Sequence, residues 1–215
     1  MKIDRDKLVI SVEGDLCAGS ESLAESLAKA LHIPCRRGEI LETAHRLSGI
    51  SLKLLKRYEE RPVRSAYDLT ASGEADLHLP PAGDFLAAQI AACRALADEG
   101  PCVLSDHHAN AALSDRPDHV SIFVHADRAA RLREYARRHG LSPVAAEPRF
   151  VRENRIRSRY FRSVFPGWGK ASSYDLTVNA GTASPEVLAG HILHYLETVT
   201  REQLVHPTQA RKRSA

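Results

Sequence analysis

Hydrophobic positions recur along this chain with two periods, and the switches between them mark its elements. "KLVISVE", residues 7–13, is a short β-branched run ending at Gly14, and it reads as a buried strand. Beyond it Leu23, Leu27, Ala30 and Leu31 follow helical spacing, with Ser20 or Ser22 placed to open the helix. "HIPCRRG" is a connector or a short strand. Weaker helical patterns cover 39–47 and 52–60, with "SGIS" between them. The stretch 60–84 has little periodicity and several turn residues, so mostly loop is expected. "DFLAAQIAACRALADEG" is strongly helical, apolar at Phe85, Leu86, Ile90, Cys93 and Leu96, with Gly100 suited to end it and Pro101 to stop it.

"CVLSD" and "VSIFVH" predict two further buried strands. A helix over 127–139 follows, with Gly140 after it, and another begins at "LSPVAAE" with Ser142 as cap and Pro143 in the first turn. "YDLTVNA" predicts a strand and "SPEVLAGHILHYLETV" the last helix, capped by Ser184. Strands alternating with helices predict an α/β fold, a mostly parallel sheet flanked by helices on both faces. Such sheets bind ligands at the carboxyl ends of their strands. That rule lines up residues 14–22, 106–110 and 125–127 along one edge.

Composition narrows the class. A chain of 215 residues, 43% hydrophobic, can bury one substantial core or two small ones. One domain is expected over 1–200, followed by a basic, disordered tail over 201–215. No apolar run reaches the roughly 18 residues of a membrane span, and "MKIDRDKLVI" lacks the apolar core of a secretory signal. A cytoplasmic chain without a membrane partner is expected. Cys17, Cys35, Cys93 and Cys102 have no C-x-x-C spacing, which argues against a zinc ribbon and for reduced thiols. The net charge of +3 hides a concentration: from Arg128 to Arg162, eleven arginines face three glutamates. One basic region on a near-neutral body suits an anionic ligand.

Gly14 and Gly19 have the spacing of G-x-x-x-x-G-K-S/T. A strand, a glycine turn and a helix can bind an anion through backbone N–H groups and the helix dipole. The Lys and Ser/Thr positions are Ser20 and Glu21, so on residues alone the loop is either a phosphate site or only a tight turn. In chain order, "VISVEGDLCAGSESLAESLAKALHIP", "PCVLSDHHANAAL", "IFVHADRAARLREYARRHGLS", "ENRIRSRYF" and "WGKASSYDLTVNA" resemble the cytidylate kinase-like family over nearly all of 8–196, apart from 60–84. The most specific parts are "SRYF" and "WG…SSYDL", which look like the family's A-x-Y-Y…W-G…N-Y-D-L block. The resemblance implies a three-layer P-loop NTPase fold with an Arg-rich helical lid over about 127–165. It also implies transfer of the ATP γ-phosphate, with Mg²⁺, to a CMP-like nucleoside monophosphate or another small phosphorylated acceptor. Nucleotide would then be held by Gly14, Asp15, Cys17, Ala18, Gly19, Ser20, Glu21 and Ser22.

Three departures from the family pattern bear on this. Where the family loop reads G-S-G-G-R-E, this chain has "CAGSES", and Glu21 stands at the Arg position. A carboxylate there repels phosphate unless Mg²⁺ lies between them or the side chain turns away. Ser20 or Ser22, with Asp106, would organise that Mg²⁺. In "LSDHHAN" the family's Gly-Arg pair is replaced by Asp106 and His107. An Asp ending a buried strand suits Mg²⁺ held through water, while His107 and His108 either meet the acceptor or are ordinary loop residues. In "CRRGEI" Arg36 and Arg37 replace the family's Tyr and Asp, and Glu39 is kept. That set suits either a more negative acceptor or a solvated turn.

If "RFVRENRIRSRYFR" is helical, Arg152, Arg155, Arg159 and Arg162 form one stripe. Phe150, Ile156, Tyr160, Phe161 and Val164 lie opposite, with Arg157 among them. An inward charge needs a partner or an anionic ligand. Arg157 also matches the arginine of the family's R-A-x-Y-Y block. Arg155, Arg157 and Arg159 are therefore expected to close over the transferred group, with Arg152 and Arg162 solvated. Trp168, Tyr174 and Asp175 read as a packing and hydrogen-bonding block. Two other readings stand beside the kinase: a pseudokinase that binds nucleotide or anion as a regulator, and a nucleic-acid-binding protein, which lacks evident stacking platforms.

Overall fold

A computed structural model describes residues 7–57, 82–105 and 107–198 of the chain. Four strands, β1 (Val9–Gly14), β2 (Cys102–Ser105), β3 (His119–His125) and β4 (Leu176–Asn179), form one sheet in the order β2-β1-β3-β4. Every pairing is parallel. Val9 lies opposite Cys102 on one side and His119 on the other, and Ile122 opposite Leu176. β1 is central and buried along its whole length.

Alternation along the strands divides the core in two. Ile10, Val12, Val103, Val120, Ile122 and Val124 face α1 (Ser20–Leu31) and α8 (Pro185–Thr198). Val9, Cys102 and Leu104 face α2 (Glu39–Ser48), α3 (Leu52–Arg57), α4 (Ala82–Asp98) and the short α5 (Ala109–Leu113). The result is a three-layer α/β fold. Beyond β3, α6 (Arg128–His139) and α7 (Pro143–Val164) pack against each other through Leu132, Tyr135, Ala136, Ala146 and Phe150.

Most element expectations hold within a residue or two. Asp127 Oδ2 caps α6 by accepting from Ala129 N and Ala130 N at 2.9 and 3.2 Å, and Ser142 Oγ caps α7 from Ala145 N at 3.2 Å. "HIPCRRG" contributes one bridge, Cys35 to Val103, beside β2. α1 begins at Ser20, but Gly19 occupies its cap position and no side chain caps it. Residues 58–60, nearly all of the expected loop 60–84 and the tail 201–215 lie outside the described residues.

α7 continues unbroken through Pro148 to Val164. Its first half packs on α6, while Tyr160 and Phe161 join Phe123, Trp168 and Tyr174 in a separate aromatic cluster at the sheet. Between the two anchors lies Arg157. Gly14 is needed where β1 ends, because a Cβ there would sit 2.8 Å from the Val124 carbonyl oxygen on the neighbouring strand.

Candidate functional site

The loop after β1 is shaped by its backbone. Asp15 N donates to Val124 O at 3.0 Å, and Ala18 N returns to Asp15 O at 2.9 Å. Cys17 (φ 59°) and Gly19 (φ 90°) are both left-handed, so the chain curls before it enters α1. The curl encloses a pocket of about 150 Å³ lined by residues 15–21, with Arg138 and Arg157 completing the wall. The first N–H groups of α1 meet no capping side chain, so they can donate to an anionic ligand. A second cleft of about 320 Å³ adjoins the pocket across Cys17, Ala18 and Gly19, and is bounded by Ala126, Ala130 and Ala180.

The charges around the loop are paired across elements. Arg37 Nη2 donates to Glu21 Oε1 at 2.6 Å, and Arg138 Nη1 stands 3.5 Å from Glu21 Oε2. The carboxylate that should repel phosphate is thus flanked by two guanidinium groups. Arg138 Nε in turn donates to Glu134 Oε1 at 2.8 Å. Hydrogen bonds from Arg137 and Arg138 hold the Glu134 carboxyl down at about 2. Arg131 Nη1 donates to Asn154 Oδ1 at 3.0 Å and reaches Leu16 O at 3.5 Å, which ties α6, α7 and the loop together.

Beneath the loop lies a buried polar network. On β1 the side opposite Ile10 and Val12 carries Ser11 and Glu13, both buried. Ser11 Oγ pairs with His119 Nε2 at 2.7 Å. Glu13 accepts from Tyr174 Oη at 2.9 Å and from Asn110 N at 3.2 Å. Arg157 is 6% exposed; its Nη2 donates to Gly14 O at 3.3 Å and its guanidinium lies 4.5 Å from the centre of the Phe161 ring. Burial pushes the Glu13 carboxyl up to about 7 against the hydrogen bonds and the nearby Arg157 charge, and lowers Arg157 to about 10. His108, held against Tyr160 and Phe161 with centroids 4.9 and 4.5 Å away, is lowered by burial to about 3.

These two groups give opposite pH dependences. Glu13 binds its proton more tightly when folded, so its stabilising contribution is complete below 4.5 and is lost as pH rises to about 7. His108 stays neutral when folded, so stability is lost as pH falls from 6.5 to about 3. Each slope is at most about 1.4 kcal/mol per pH unit, and between 4.5 and 6.5 they oppose each other. In urea unfolding across pH 4–8, Glu13→Gln should gain stability relative to wild type as pH rises from 4.5 to 7. His108→Asn, which tolerates the left-handed backbone (φ 61°), should gain relative to wild type as pH falls below 6.5. Parallel profiles for all three proteins would refute this assignment.

The expected site residues separate into groups. Asp15, Cys17, Ala18, Gly19, Ser20 and Glu21 line the loop pocket with Arg157, whereas Ser22 faces the second cleft. Ser20 and Ser22 are therefore not brought to one point, and Asp106 lies outside the described residues. Gly14 contributes its carbonyl to Arg157 rather than lining the pocket. Arg155 and Arg159 are exposed on the solvent side of α7 and do not line the pocket; two residues either side of Arg157 is nearly half a turn away. Arg36 pairs with Glu39 and, at 3.2 Å, with Glu99, which precedes β2 at the end of the sheet away from the loop. Of the expected acceptor residues, only Arg37 reaches the loop. His107 is buried, its carbonyl accepting from Cys93 Sγ at 3.7 Å.

Sequence reasoning passed over Glu13 and Arg138. A signal existed for Glu13, because a carboxylate inside a buried strand run, one residue before the loop glycine, demands partners. Tyr174, expected in a packing and hydrogen-bonding block, supplies one of those partners through its hydroxyl. Asp175, read in the same way, accepts from Ser121 N and Ser121 Oγ at 2.8 Å.

The model of the cytidylate kinase-like family matches residues 9–182. No curated protein is matched by the sequence. Among solved structures, an uncharacterized protein from Eubacterium ventriosum superposes with a TM-score of 0.65 at 17% identity, covering 89% of this chain and 99% of that one. Shikimate kinases from Bacteroides thetaiotaomicron and Acinetobacter baumannii, the latter in complex with shikimate, give TM-scores of 0.51 and 0.50 at 14% and 16% identity. They cover 88% and 89% of this chain, and 98% and 94% of their own. At these identities the likeness concerns the fold.

Proposed function

This chain belongs to the cytidylate kinase-like family, and on that premise we propose that it is a phosphotransferase. It would move the γ-phosphoryl group of ATP to a nucleoside monophosphate or another small phosphorylated acceptor. The observation that carries this reading is the loop pocket, walled by Arg138 and Arg157, opening into a nucleoside-sized cleft floored by alanines. The donor set suits polyphosphate, because the uncapped start of α1 and two guanidinium groups converge on one small volume. Of the oxygen ligands expected for Mg²⁺, Ser20 lines that pocket. Mg²⁺ usually takes few protein ligands beside phosphate. Bound Mg²⁺ would neutralise charge on the phosphates.

The chain's own residues position and neutralise. The loop backbone orients the phosphates, and Arg157 offers positive charge from beneath while its packing on Phe161 keeps it in place. Arg37, hydrogen-bonded to Glu21 at the loop, would meet the acceptor.

One observation favours the pseudokinase reading as an alternative: Glu21 fills the family's Arg position and engages both nearby cations. Thermal shift with ATP, ADP and nucleoside monophosphates, with and without Mg²⁺, separates the two. A ligand at a hundred times its dissociation constant should raise the midpoint by about 5–10 °C. Shifts with both a triphosphate and a monophosphate, followed by product formation, support the enzyme. A triphosphate shift without transfer supports the regulator, and no shift with any nucleotide removes the enzyme and any nucleotide-binding regulator.

A further inference from the structure

The phosphate loop of this chain carries no cation of its own: Ser20 stands where a loop of this spacing has Lys, and Glu21 follows it. A cation nevertheless stands at the loop. Arg138, in the last turn of α6, lines the loop pocket and also the adjoining cleft, and among their described lining residues it is the charged side chain common to both. A molecule extending from the cleft into the pocket must pass it. Its Nε–H is fixed by Glu134 at 2.8 Å on the cleft side, while its Nη1 edge is turned toward Glu21 at 3.5 Å on the pocket side. The first contact is a hydrogen bond to a carboxylate that stays ionised, and the second is a looser ion pair. Glu134 therefore orients the guanidinium, and Glu21 only neutralises it.

We propose that Arg138 is the polyphosphate-binding cation of this loop, supplied from α6 in place of the missing loop residue, and that Glu21 is its resting counter-ion, which an incoming phosphate displaces. The proposal rests on reading the pocket as a polyphosphate site and adds the residue that confers its charge. A phosphate oxygen in the pocket would receive the Nη edge that Glu21 now holds, while the Glu134 contact persists. Glu21 then competes with ligand for Arg138, so affinity is set by the balance between a carboxylate and a phosphate for one guanidinium. Arg37 keeps Glu21 compensated when Arg138 turns to ligand, because its 2.6 Å contact uses the other carboxylate oxygen.

The test measures calorimetric affinity for two probes, Mg²⁺–ATP and inorganic tripolyphosphate, in wild type, Arg138→Gln, Arg138→Lys, Glu21→Gln and the Glu21→Gln/Arg138→Gln double variant. Arg152→Gln, an exposed charge removed from the same helical pair, serves as control and should stay within about twofold. Arg138→Gln should weaken both probes about tenfold or more, as for loss of a charged hydrogen bond, and Arg138→Lys should recover part of that. Glu21→Gln should tighten binding about threefold or more through loss of the competitor, and that gain should vanish in the double variant. Unchanged affinity in Arg138→Gln, or a Glu21→Gln gain that survives in the double variant, overturns the proposal. Tripolyphosphate binding without ATP binding in wild type would remove the nucleotide reading while the Arg138 comparisons still decide this one. Binding of neither probe removes both.

Discussion

Arg157→Ala is expected to cost about 4 kcal/mol of stability and to weaken anion binding at the loop. The stability loss has three sources. A buried cation over the Phe161 ring disappears and leaves space, the Gly14 carbonyl loses a donor, and Glu13 is left buried without its nearest positive charge. Removing one member of a buried charged set costs about 3–5 kcal/mol in comparable cases. A merely destabilised protein would not give the second signature. Since Arg157 holds the Glu13 carboxyl below where burial alone would put it, Arg157→Ala should push that group above about 7. The pH range over which stability declines, which begins at 4.5, should extend further upward with it. Denaturant unfolding across pH, with tripolyphosphate titration at a pH where the variant is folded, reads both effects. Arg157→Lys keeps charge but not the fork, so it should restore the pH profile more fully than the binding. Wild-type stability and wild-type anion affinity in Arg157→Ala would dismiss the role.

A comparable loss, about 4 kcal/mol, is expected for Trp168→Ala. Trp168 is 1% exposed, stacked on Phe161 at 5.3 Å and edge-on to Phe123 at 5.4 Å. Thermal unfolding should show a midpoint lower by about 8–16 °C. The effect on function follows from the chain order of α7: Phe161 lies one turn beyond Arg157 and carries the ring against which the guanidinium packs. Loosening the cluster therefore loosens Arg157, and anion affinity should fall although Trp168 is remote from the loop pocket. Trp168→Phe keeps an aromatic face and should lose less than half as much. A stability loss under about 1 kcal/mol in Trp168→Ala would mean that the aromatic cluster does not anchor α7.

The same geometry changes what should be done at Glu21. Restoring the family's arginine there would put a third guanidinium beside Arg37 and Arg138, so Glu21→Arg mixes a possible gain with repulsion. Neutralising the side chain is the cleaner change.

How much of this was legible in the sequence depends on the range of the signal. β1, β3 and the helices after them follow from period, and α6 and α7 also from their caps, because Asp127 and Ser142 bond backbone groups two or three residues away. The inward position of Arg157 was legible for the same reason, since helical spacing alone sets it among Phe150, Tyr160 and Phe161. The partners of Glu13 were not, because Asn110 and Tyr174 lie 97 and 161 residues along the chain. Arg138 was hidden differently. It sits in the basic last turn of α6, where the helix dipole is reason enough for positive charge. Only the approach of that turn to α1 gives it a second task.

Trp168 is the sole tryptophan of the chain. Its indole is buried in the cluster that seats the second half of α7, with the Arg162 guanidinium 6.0 Å from the ring. The protein thus carries a single intrinsic fluorophore where the second half of α7 meets the sheet. Its emission wavelength and quenching report, without any label, whether that helix is seated when an anion enters the loop.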